Sequence, residues 1–318
     1  MTRSFETHSA ALAQQMLNWT SLAANESQLR DQFRSAKPFP YVVIDDILLP
    51  QVARSVEVGF ETALRHKQHG ATKAHRDVLL KTGTPDLSRM TRDQVAVFDA
   101  IHSDRFVQFL ESITGIKPVF SDPELRGGGL HSSWRGGYLN VHTDFNFHPG
   151  EHTHRRLNLI IYVNEEWREE WGGALEFWNA DVSRCEARFL PKFNRAVLFE
   201  TSEISFHGHP VPLSCPEGVT RKSLAVYYYS HWPDELERRA KTKYVLIPAQ
   251  NDNLRREVLQ AISRGAKTFE EASEMLPQWQ PIHVKRIFAE VGGVGSVRSR
   301  WAAFRGGLRR GVARLRGT

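Results

Sequence analysis

The amino-acid sequence predicts an α+β chain with a mainly β core and helical regions on either side. Between about residues 116 and 232, short β-rich segments alternate with turns of Gly, Pro, Asn and Asp. Before and after this stretch, apolar residues recur at helical spacing. The hydrophobic fraction of 41% and the charged fraction of 25% are typical of a soluble globular protein. Eight short strands favour a β-sandwich or a jelly-roll barrel, and they are KPVF, LHSSW, GYLNVH, RLNLIIYV, GALEFW, EARFLP, AVLFE and SLAVYYY.

The N-terminal region predicts helices around one short strand. Apolar residues at helical spacing over residues 5–34 indicate two helices broken near Asn25. In the following segment, PFPYVVIDDILLP, two prolines exclude a helix and the β-branched YVVI indicates a strand. Pro50 then suits the first turn of a helix that runs to about residue 67.

A polar, turn-rich segment at residues 71–90 comes next, and we expect it to form a mobile lid over a functional site. A long helix follows from about Thr91 to Gly115, because glycine is the residue type that most often closes a helix. The sequence therefore predicts an N-terminal helical region, a β core, a C-terminal helical region and a basic tail, with bounds 1–115, 116–232, 233–295 and 296–318.

Charge is distributed unevenly along the chain. The net charge is +6, yet from Pro281 to Thr318 nine Lys and Arg residues stand against one acid, Glu290. A basic segment with aromatic residues can bind nucleic acid or an anionic membrane surface, although a solvated basic helix explains the same pattern. The N-terminus lacks the apolar stretch of a secretory signal, and Cys185 and Cys215 do not make a disulfide framework. We expect a cytoplasmic protein.

The stretch GGYLNVHTDFNFHPG, residues 136–150, contains a candidate metal site. On a β-strand, residues two apart project from the same face, so His142 and Asp144 lie side by side. An imidazole and a carboxylate in this arrangement are two of the three ligands of a 2-His-1-carboxylate metal site. The His-x-Asp pattern alone is a weak signal, since a hydrogen-bonded pair in a surface turn has the same sequence. The interpretation depends on a third ligand elsewhere in the chain.

Residues 191–222 supply candidates for the rest of such a site. His207 and His209 follow a β-rich segment, and either can be the third ligand. Arg221 and Lys222 stand at the start of the next strand. An oxygenase with a dicarboxylate cosubstrate needs a cation for the far carboxylate, and a guanidinium fork suits it best. Because neighbouring residues in a strand point to opposite faces, only one of the two cations can serve.

The order of these residues resembles the iron(II)- and 2-oxoglutarate-dependent dioxygenases, and most of all their prolyl-4-hydroxylase-type branch. That order is His-x-Asp, a second His about sixty residues later, and a basic residue about a dozen residues beyond it. The segments RRLNLIIYVNEEWREEWGG, PKFNRAVLFE and PFPYVVIDDIL are also similar to the family, as is the aromatic Tyr138 four residues before His142. The resemblance covers roughly residues 117–232.

The resemblance implies a fold and a metal site. The family's fold is a double-stranded β-helix, a cupin-like jelly roll, which agrees with one of the two folds that the strand count favours. The resemblance implies that Fe(II) is held by His142, Asp144 and His207. It favours His207 over His209 because the family's third ligand follows an approach strand and precedes a short apolar segment.

The resemblance also implies a site for 2-oxoglutarate. Arg221 is the expected partner of the far carboxylate, in preference to Lys222, although the segment PLSCPEG must loop out to accommodate its spacing. Tyr162 matches a tyrosine that hydrogen-bonds 2-oxoglutarate in this branch, and a buried core tyrosine is the alternative. Tyr138 and Asn158 are further candidate contacts, the latter because it shares a strand face with Tyr162.

The activity implied by the resemblance is hydroxylation of a C–H bond, with release of succinate and CO2 and with ascorbate as an optional reductant. A carboxylate at Asp144 favours hydroxylation, since related halogenases have a small residue there. A prolyl residue, an amino acid and other small molecules stay open as substrates. The alternative is an inactive jelly-roll protein that binds or regulates, and the complete ligand set argues against it. His131, His231 and, if it is not the third ligand, His209 are expected to be structural.

Overall fold

The computed structural model describes most of the 318-residue chain, in the ranges 15–65, 78–148, 150–233 and 235–291. The chain separates into two units, Met1–Val245 and Leu246–Thr318. The first unit holds the N-terminal helices together with the β core. The predicted basic tail and residues 71–77 of the predicted lid lie outside the described residues.

Helices occur in both units. In the first unit they are α1 (Trp19–Ser35), α2 (Pro50–Val58), α3 (Phe60–Leu64), α4 (Arg92–His102) and α5 (Asp104–Thr114), with short 3-10 helices at Leu87–Arg89 and Glu169–Trp171. In the second unit they are α6 (Pro248–Ser263), α7 (Phe269–Met275) and α8 (Pro281–Glu290).

The strands all lie in the first unit. They are β1 (Tyr41–Asp45), β2 (Val78–Thr84), β3 (Phe120–Ser121), β4 (Gly129–Thr143), β5 (Phe147–His148), β6 (Thr153–Tyr162), β7 (Leu175–Trp178), β8 (Cys185–Phe189), β9 (Arg195–Glu200), β10 (His207–His209), β11 (Arg221–His231) and β12 (Lys243–Tyr244). The main path of the sheet is β1-β9-β6-β11-β4-β10-β7-β8, and β2 and β12 pair with β4, β3 with β11 and β5 with β6.

Contacts between strands that are far apart in the sheet show that it curls. The ring of Phe177 on β7 lies 4.9 Å from the ring of Phe199 on β9 and 5.2 Å from that of Tyr41 on β1, centroid to centroid. These strands stand near opposite ends of the sheet path. The curled antiparallel sheet with flanking helices is a jelly-roll core, which confirms the predicted fold class.

Side-chain alternation gives β6 two different faces. Leu157, Leu159 and Ile161 belong to an apolar cluster that also contains residues of α1 to α5. The burial of each such side chain contributes roughly 1.5–3 kcal/mol. Asn158 and Tyr162 are buried on the other face, which lines the inside of the curled sheet. The helices therefore cover the outside of the sheet, and the inside is left for a site.

Two helix predictions need correction. α1 continues through Asn25 without a break. The Nδ2 atom of Asn25 donates to the carbonyl oxygen of Ser21 at 2.8 Å, one turn earlier in the same helix. The long helix expected after Thr91 is two helices, since Ser103 has an extended backbone and its hydroxyl caps the first turn of α5. α5 ends at Gly115 with φ 76°, as predicted.

The described part of the predicted lid contains a strand. β2 runs antiparallel to β4, with Thr84 opposite Leu130 and Val78 opposite Leu139. A Cβ added to Gly83 would lie 2.5 Å from Cδ2 of His131, so the glycine leaves room for that ring. The sequence VLLKTGT lies within the polar segment that is predicted to form a lid. Its pairing with β4 makes it a strand.

The second unit has a core of its own. Leu254 and Val258 of α6, Ala272 of α7 and Ile287 of α8 are buried together. Proline occupies the first turn of α6 and of α8, where its missing N–H leaves no helical hydrogen bond unmade. In the part of the chain that the structure describes, no helix has both the length and the apolar character needed to cross a membrane.

Candidate active site

The three predicted metal ligands come together on two paired strands. His142 lies near the end of β4, Asp144 follows that strand, and His207 begins β10. The antiparallel register places His207 opposite His142, with ring centroids 4.4 Å apart. The ligand atoms of the three residues lie within 4.8 Å of one another. Within the described ranges, no other group of His, Cys, Asp and Glu meets this condition.

Both histidines present Nε2 to Asp144. Nδ1 of His142 is 2.8 Å from the carbonyl oxygen of Asn140, and Nδ1 of His207 is 2.9 Å from that of Ser205. A carbonyl oxygen can only accept, so each Nδ1 carries the proton and each Nε2 has a free lone pair. The two Nε2 atoms lie 3.6 and 3.4 Å from the carboxylate oxygens of Asp144. This is the tautomer that a metal-binding histidine needs.

The arrangement suits a divalent metal ion. Two ligand atoms bound at about 2.1 Å and at right angles lie about 3 Å apart, close to the distances between the Nε2 and carboxylate atoms. The ring of Tyr244 packs against His142 and the ring of Phe199 against His207, at centroid distances of 5.3 and 4.7 Å. Two imidazoles and one carboxylate on one side of the ion are the ligands of Fe(II) oxygenases, with the other positions open.

Asp144 is held by two side chains that approach Oδ2. Arg155 donates from Nη2 at 2.9 Å, and Asn158 donates from Nδ2 at 2.8 Å. Nε of Arg155 also donates to Oδ1 of Asn158 at 2.8 Å, so the two supports fix each other. The guanidinium of Arg155 lies 3.3 Å from the ring centroid of Tyr227, and its side chain is only 1% exposed. The carboxylate is therefore oriented by groups that do not themselves bind the metal.

The same contacts keep Asp144 ionised. Burial alone raises the pKa of the Asp144 carboxyl, but Arg155 and the nearby histidines outweigh it and hold that pKa well below its usual range. Burial, together with the adjacent His207 ring, lowers the pKa of His142. A carboxylate and a neutral imidazole are the protonation states that bind a metal ion.

A β-bulge decides which arginine supports Asp144. From Leu157 to Arg155, β6 advances by two residues while its partner β11 advances by one, so Arg156 is the extra residue. Arg156 instead pairs with Glu200 at 2.8 Å. Without the bulge, side-chain alternation would place Arg156 on the same face of β6 as Asn158, toward the carboxylate of Asp144.

The predicted cosubstrate anchor, Arg221, begins β11 and is 7% exposed. Its Nε donates to the carbonyl oxygen of Gly173 at 2.7 Å, and its Nη2 donates to the hydroxyl of Tyr162 at 3.0 Å. Gly173 has φ +71°, and an added Cβ would lie 3.1 Å from Cδ of Arg221, so glycine is required beside the arginine. Neither contact uses Nη1, which can donate to a ligand carboxylate.

Lys222 points to the opposite face of the sheet. Its Nζ forms an ion pair with Glu57 of α2 at 3.1 Å. Because side chains alternate along the strand, Arg221 faces the cavity and Lys222 faces the helices, as the sequence predicts.

One cavity of about 260 Å³ connects the metal ligands with Arg221. Its walls come from β2, β4, β6, β7, β10, β11 and β12, and Ser223 and Ala225 of β11 lie between its two ends. Asn158 lines the cavity and contacts Asp144, whereas Tyr162 is fully buried and acts through its hydrogen bond to Arg221.

Two histidines that were expected to be structural line this cavity. His209 is 3% exposed, and neither of its ring nitrogens has a hydrogen-bond partner among the described residues. It is not part of the metal-ligand group, so the preference for His207 holds. His131 of β4 also lines the cavity. Burial and the neighbouring cations lower the pKa of both histidines well below the usual value, so both are neutral.

Tyr138 does not line the cavity, and this corrects the expectation that it contacts the cosubstrate. β10 advances two residues from His207 to His209 while β4 advances three, from His142 to Leu139. The extra residue reverses the alternation, so Leu139 reaches the cavity wall and Tyr138 does not.

Lys81 and Arg155 are cavity residues that the sequence analysis did not identify. Lys81 lies on β2, and its pKa is lowered to about 8, first by burial and then by Arg221, while Asp144 opposes the shift. A single lysine in a polar segment gives no sequence signal. Arg155 does have a sequence signal, because an arginine precedes the apolar strand in the family's pattern. That pattern does not distinguish Arg155 from Arg156.

The sequence around this cavity matches a known family. Residues 129–229, which contain the three ligands and Arg221, match the model of the 2OG-Fe(II) oxygenase superfamily. Prolyl 3-hydroxylase OGFOD1 of Mus musculus is 30% identical over 86 residues, which are 26% of this chain and 15% of that protein. The Xenopus laevis protein of the same name is 26% identical over 148 residues, 45% of this chain and 27% of that protein. The matched stretches thus span less than a third of these relatives.

Solved structures with a similar fold include a prolyl hydroxylase from Trichoplax adhaerens in complex with a peptide fragment of hypoxia inducible factor. It has 15% sequence identity and a TM-score of 0.48, covering 67% of this chain and 93% of that chain. A prolyl 4-hydroxylase from Phytophthora capsici has 18% identity and a TM-score of 0.47, covering 85% of this chain and 90% of that chain.

Proposed function

We propose that the protein is a 2OG-Fe(II) oxygenase of the prolyl-hydroxylase-like type that hydroxylates a C–H bond of a primary substrate, because residues 129–229 match the model of that oxygenase superfamily. In this reaction 2-oxoglutarate and O2 are consumed, and succinate and CO2 are released. One oxygen atom of O2 enters the substrate hydroxyl and the other enters succinate. The observation that carries the proposal is a single cavity with a complete metal-ligand set at one end and Arg221 at the other.

His142, Asp144 and His207 would hold the Fe(II), which supplies O2 activation and the oxidative decarboxylation of 2-oxoglutarate when bound. The protein's part is to keep these ligands in one geometry. The carbonyl contacts of the two Nδ1 atoms fix the ring tautomers. Arg155 and Asn158 donate to Oδ2 of the Asp144 carboxylate and so fix its orientation for a metal ion.

Arg221 would bind the far carboxylate of 2-oxoglutarate, and the buried Tyr162 would hold its guanidinium in place. The Tyr162 hydroxyl accepts a hydrogen bond from Nη2 of Arg221. Burial raises the pKa of Tyr162, although Arg221 opposes the shift, and the hydroxyl stays protonated at neutral pH. A carboxylate in this position would receive a hydrogen bond from Nη1 of Arg221.

A prolyl residue within a peptide is the substrate we propose to test first. Its support is the 30% identity over 86 residues with a protein named as a prolyl 3-hydroxylase. The cavity is lined by side chains from seven strands, with apolar positions such as Ile160 and Leu175 beside the polar ones. Free amino acids and other small molecules belong in the same screen.

The test is anaerobic reconstitution with Fe(II), followed by addition of O2 and 2-oxoglutarate and measurement of succinate. We expect slow succinate release without substrate and faster release with a hydroxylatable compound, whose mass rises by one oxygen atom. The Asp144→Ala variant is the control and should lack metal-dependent turnover. Undiminished turnover in that variant, or a wild-type protein that binds iron and 2-oxoglutarate yet releases no succinate, would reject the hydroxylase proposal.

A further inference from the structure

Lys81 brings a second unpaired cation into the cavity. It lines the cavity from β2, and in the described part of the chain no carboxylate lies within ion-pair distance of its Nζ. Lys81 is half-buried, and lysine side chains that are withdrawn from solvent are normally paired. By contrast, the cation on the other face of the same sheet, Lys222, pairs with Glu57 at 3.1 Å.

Lys81 and Arg221 occupy separate positions. Both are opposite Ser133 of β4, Lys81 on one side through β2 and Arg221 on the other through β11. Neighbouring strands are about 4.8 Å apart, so the two Cα atoms are separated by roughly 10 Å. The guanidinium of Arg221 is held by Tyr162 of β6, although its charge is near enough to lower the pKa of Lys81. An anion at Arg221 and a second anion at Lys81 would therefore occupy neighbouring positions.

His209 provides a neutral donor in the same cavity. Both of its ring nitrogens lack a hydrogen-bond partner among the described residues, although the side chain is buried. Buried polar groups are normally hydrogen-bonded, and an exception needs an explanation such as an absent ligand. Its position two residues beyond His207 on β10 directs it into the cavity.

The charges of the cavity do not balance without a further anion. Asp144 is the carboxylate among the lining residues, and Arg155 offsets it at 2.9 Å. The two charges of 2-oxoglutarate offset those of Fe(II). Lys81 and Arg221 then remain as an excess of positive charge in a partly buried space, where electrostatic interactions are strong.

We propose that Lys81 and His209 form a second anion-binding position, which binds a carboxylate or phosphate group of the primary substrate. The inference rests on the proposed oxygenase function and narrows its substrate class to molecules or peptides that carry an anionic group near the target C–H bond. Lys81 supplies the charge, and His209 supplies a hydrogen bond. Arg221 keeps the far carboxylate of 2-oxoglutarate.

The experiment uses inorganic phosphate and acetate as probes. The full-length protein is loaded with Mn(II), saturated with 2-oxoglutarate, and titrated with each probe while ³¹P or ¹³C nuclear relaxation is measured. Paramagnetic Mn(II) at the ligand group accelerates the relaxation of an anion bound in the same cavity. We expect saturable acceleration in the wild type, about tenfold weaker binding in Lys81→Gln, and partial recovery in Lys81→Arg.

Two control variants make the result specific. Lys222→Gln removes a cation of the same sheet from the opposite face and should bind the probes like the wild type. His209→Ala should weaken probe binding by a smaller factor while retaining Mn(II). Affinity for Mn(II) and for 2-oxoglutarate is measured in every variant, which also reports whether the variant is folded.

Three results would overturn the proposal. Loss of the probe signal when 2-oxoglutarate is added to the wild type would show that the probes occupy the Arg221 position. A signal unchanged in Lys81→Gln would place the probes on the metal ion. Absence of binding by both probes, in a protein that binds Mn(II) and 2-oxoglutarate, would reject the second position alone. If neither Mn(II) nor 2-oxoglutarate binds, the oxygenase function itself fails.

Discussion

Two parts of the cavity differ in how completely their polar groups are partnered. At the metal end, Nδ1 of His142 and of His207 each contact a carbonyl oxygen, and Oδ2 of Asp144 accepts two hydrogen bonds. At the second anion position that we propose, Lys81 has no ion pair in the described part of the chain and His209 has two unpartnered nitrogens. The fold itself holds the metal ligands in place, whereas a bound anion would complete the pairing of Lys81 and His209.

This difference has an energetic consequence. Orientation of the metal ligands costs little on binding because the supporting hydrogen bonds already exist, and such supports raise metal affinity. A buried polar group without a partner costs about 1–3 kcal/mol. A ligand that supplies the missing partner recovers this free energy. The position formed by Lys81 and His209 would therefore favour binding of an anion over stability of the empty protein. Variants of each end should therefore affect different measurements.

The largest effect should come from the metal ligands. His207→Ala removes one of three ligands, and we expect bound iron to fall by more than the ~100-fold that loss of a supporting group causes. His209→Ala is the matched control, since it removes the histidine two residues away that is not in the ligand group. Iron content by elemental analysis distinguishes them. If iron were lost only in the His209 variant, the third ligand would be His209 and not His207.

The support of Asp144 gives the next largest effect. Arg155→Leu removes the guanidinium that donates to Asp144 at 2.9 Å, and we expect metal affinity to fall by roughly 10–100-fold. Arg156→Leu is the control, because the bulge turns that arginine toward Glu200. Titration of Fe(II) or Mn(II) into both variants measures the effect. Equal losses in the two variants would mean that both act through general stability.

The cosubstrate end is tested by Arg221→Ala. Loss of charge-assisted hydrogen bonds, each worth about 1.5–3 kcal/mol, should weaken 2-oxoglutarate binding by roughly ten- to a hundredfold while iron content is retained. Arg221→Lys should recover only part of the affinity, because an ammonium lacks the fork. Lys222→Ala should do little. A large loss in the Lys222 variant and none in the Arg221 variants would contradict the cavity described here.

The smallest effect is a pH dependence of Lys81. Burial and Arg221 lower the pKa of its amine to about 8, so its charge is lost as the pH rises through that value. The groups that face it are Arg221 from β11, His131 from β4, Asp144 just after β4, and His209 from β10. We expect the rate of Lys81 acetylation, followed by mass spectrometry, to rise with pH and to level off above about pH 8, and to fall when phosphate is added. A rate that keeps rising about tenfold per pH unit up to pH 10 would show an unperturbed amine.

The metal site could be predicted largely from the sequence. His142 and Asp144 project together because side chains two apart on a strand share a face, which is a local property of the backbone. Alternation allows only one of Arg221 and Lys222 to face the cavity, and the resemblance to the dioxygenase family favours Arg221. The number of short strands and the turns between them favour a β-sandwich or a jelly roll, and the resemblance selects the jelly roll.

Other assignments depended on how strands pair with their neighbours. A bulge in β6 selects Arg155 over Arg156, and a bulge in β4 removes Tyr138 from the cavity wall. A bulge shifts every later side chain to the other face, and its position is set by the partner strand and not by the residues that alternate. Local alternation in the sequence therefore could not reveal either shift.

The sequence by itself placed His142 and Asp144 side by side, because their spacing puts both on one face of a single strand, and its resemblance to a known family pointed to His207, to Arg221 as the proposed anchor and to the jelly-roll fold. The tertiary structure alone decided that Lys81, on a strand hidden in a polar segment, shares a cavity with His209. These two residues are more than a hundred positions apart in the chain. Only the pairing of β2 and β10 with different parts of β4 brings them together, and such long-range pairing leaves no periodic trace in the sequence.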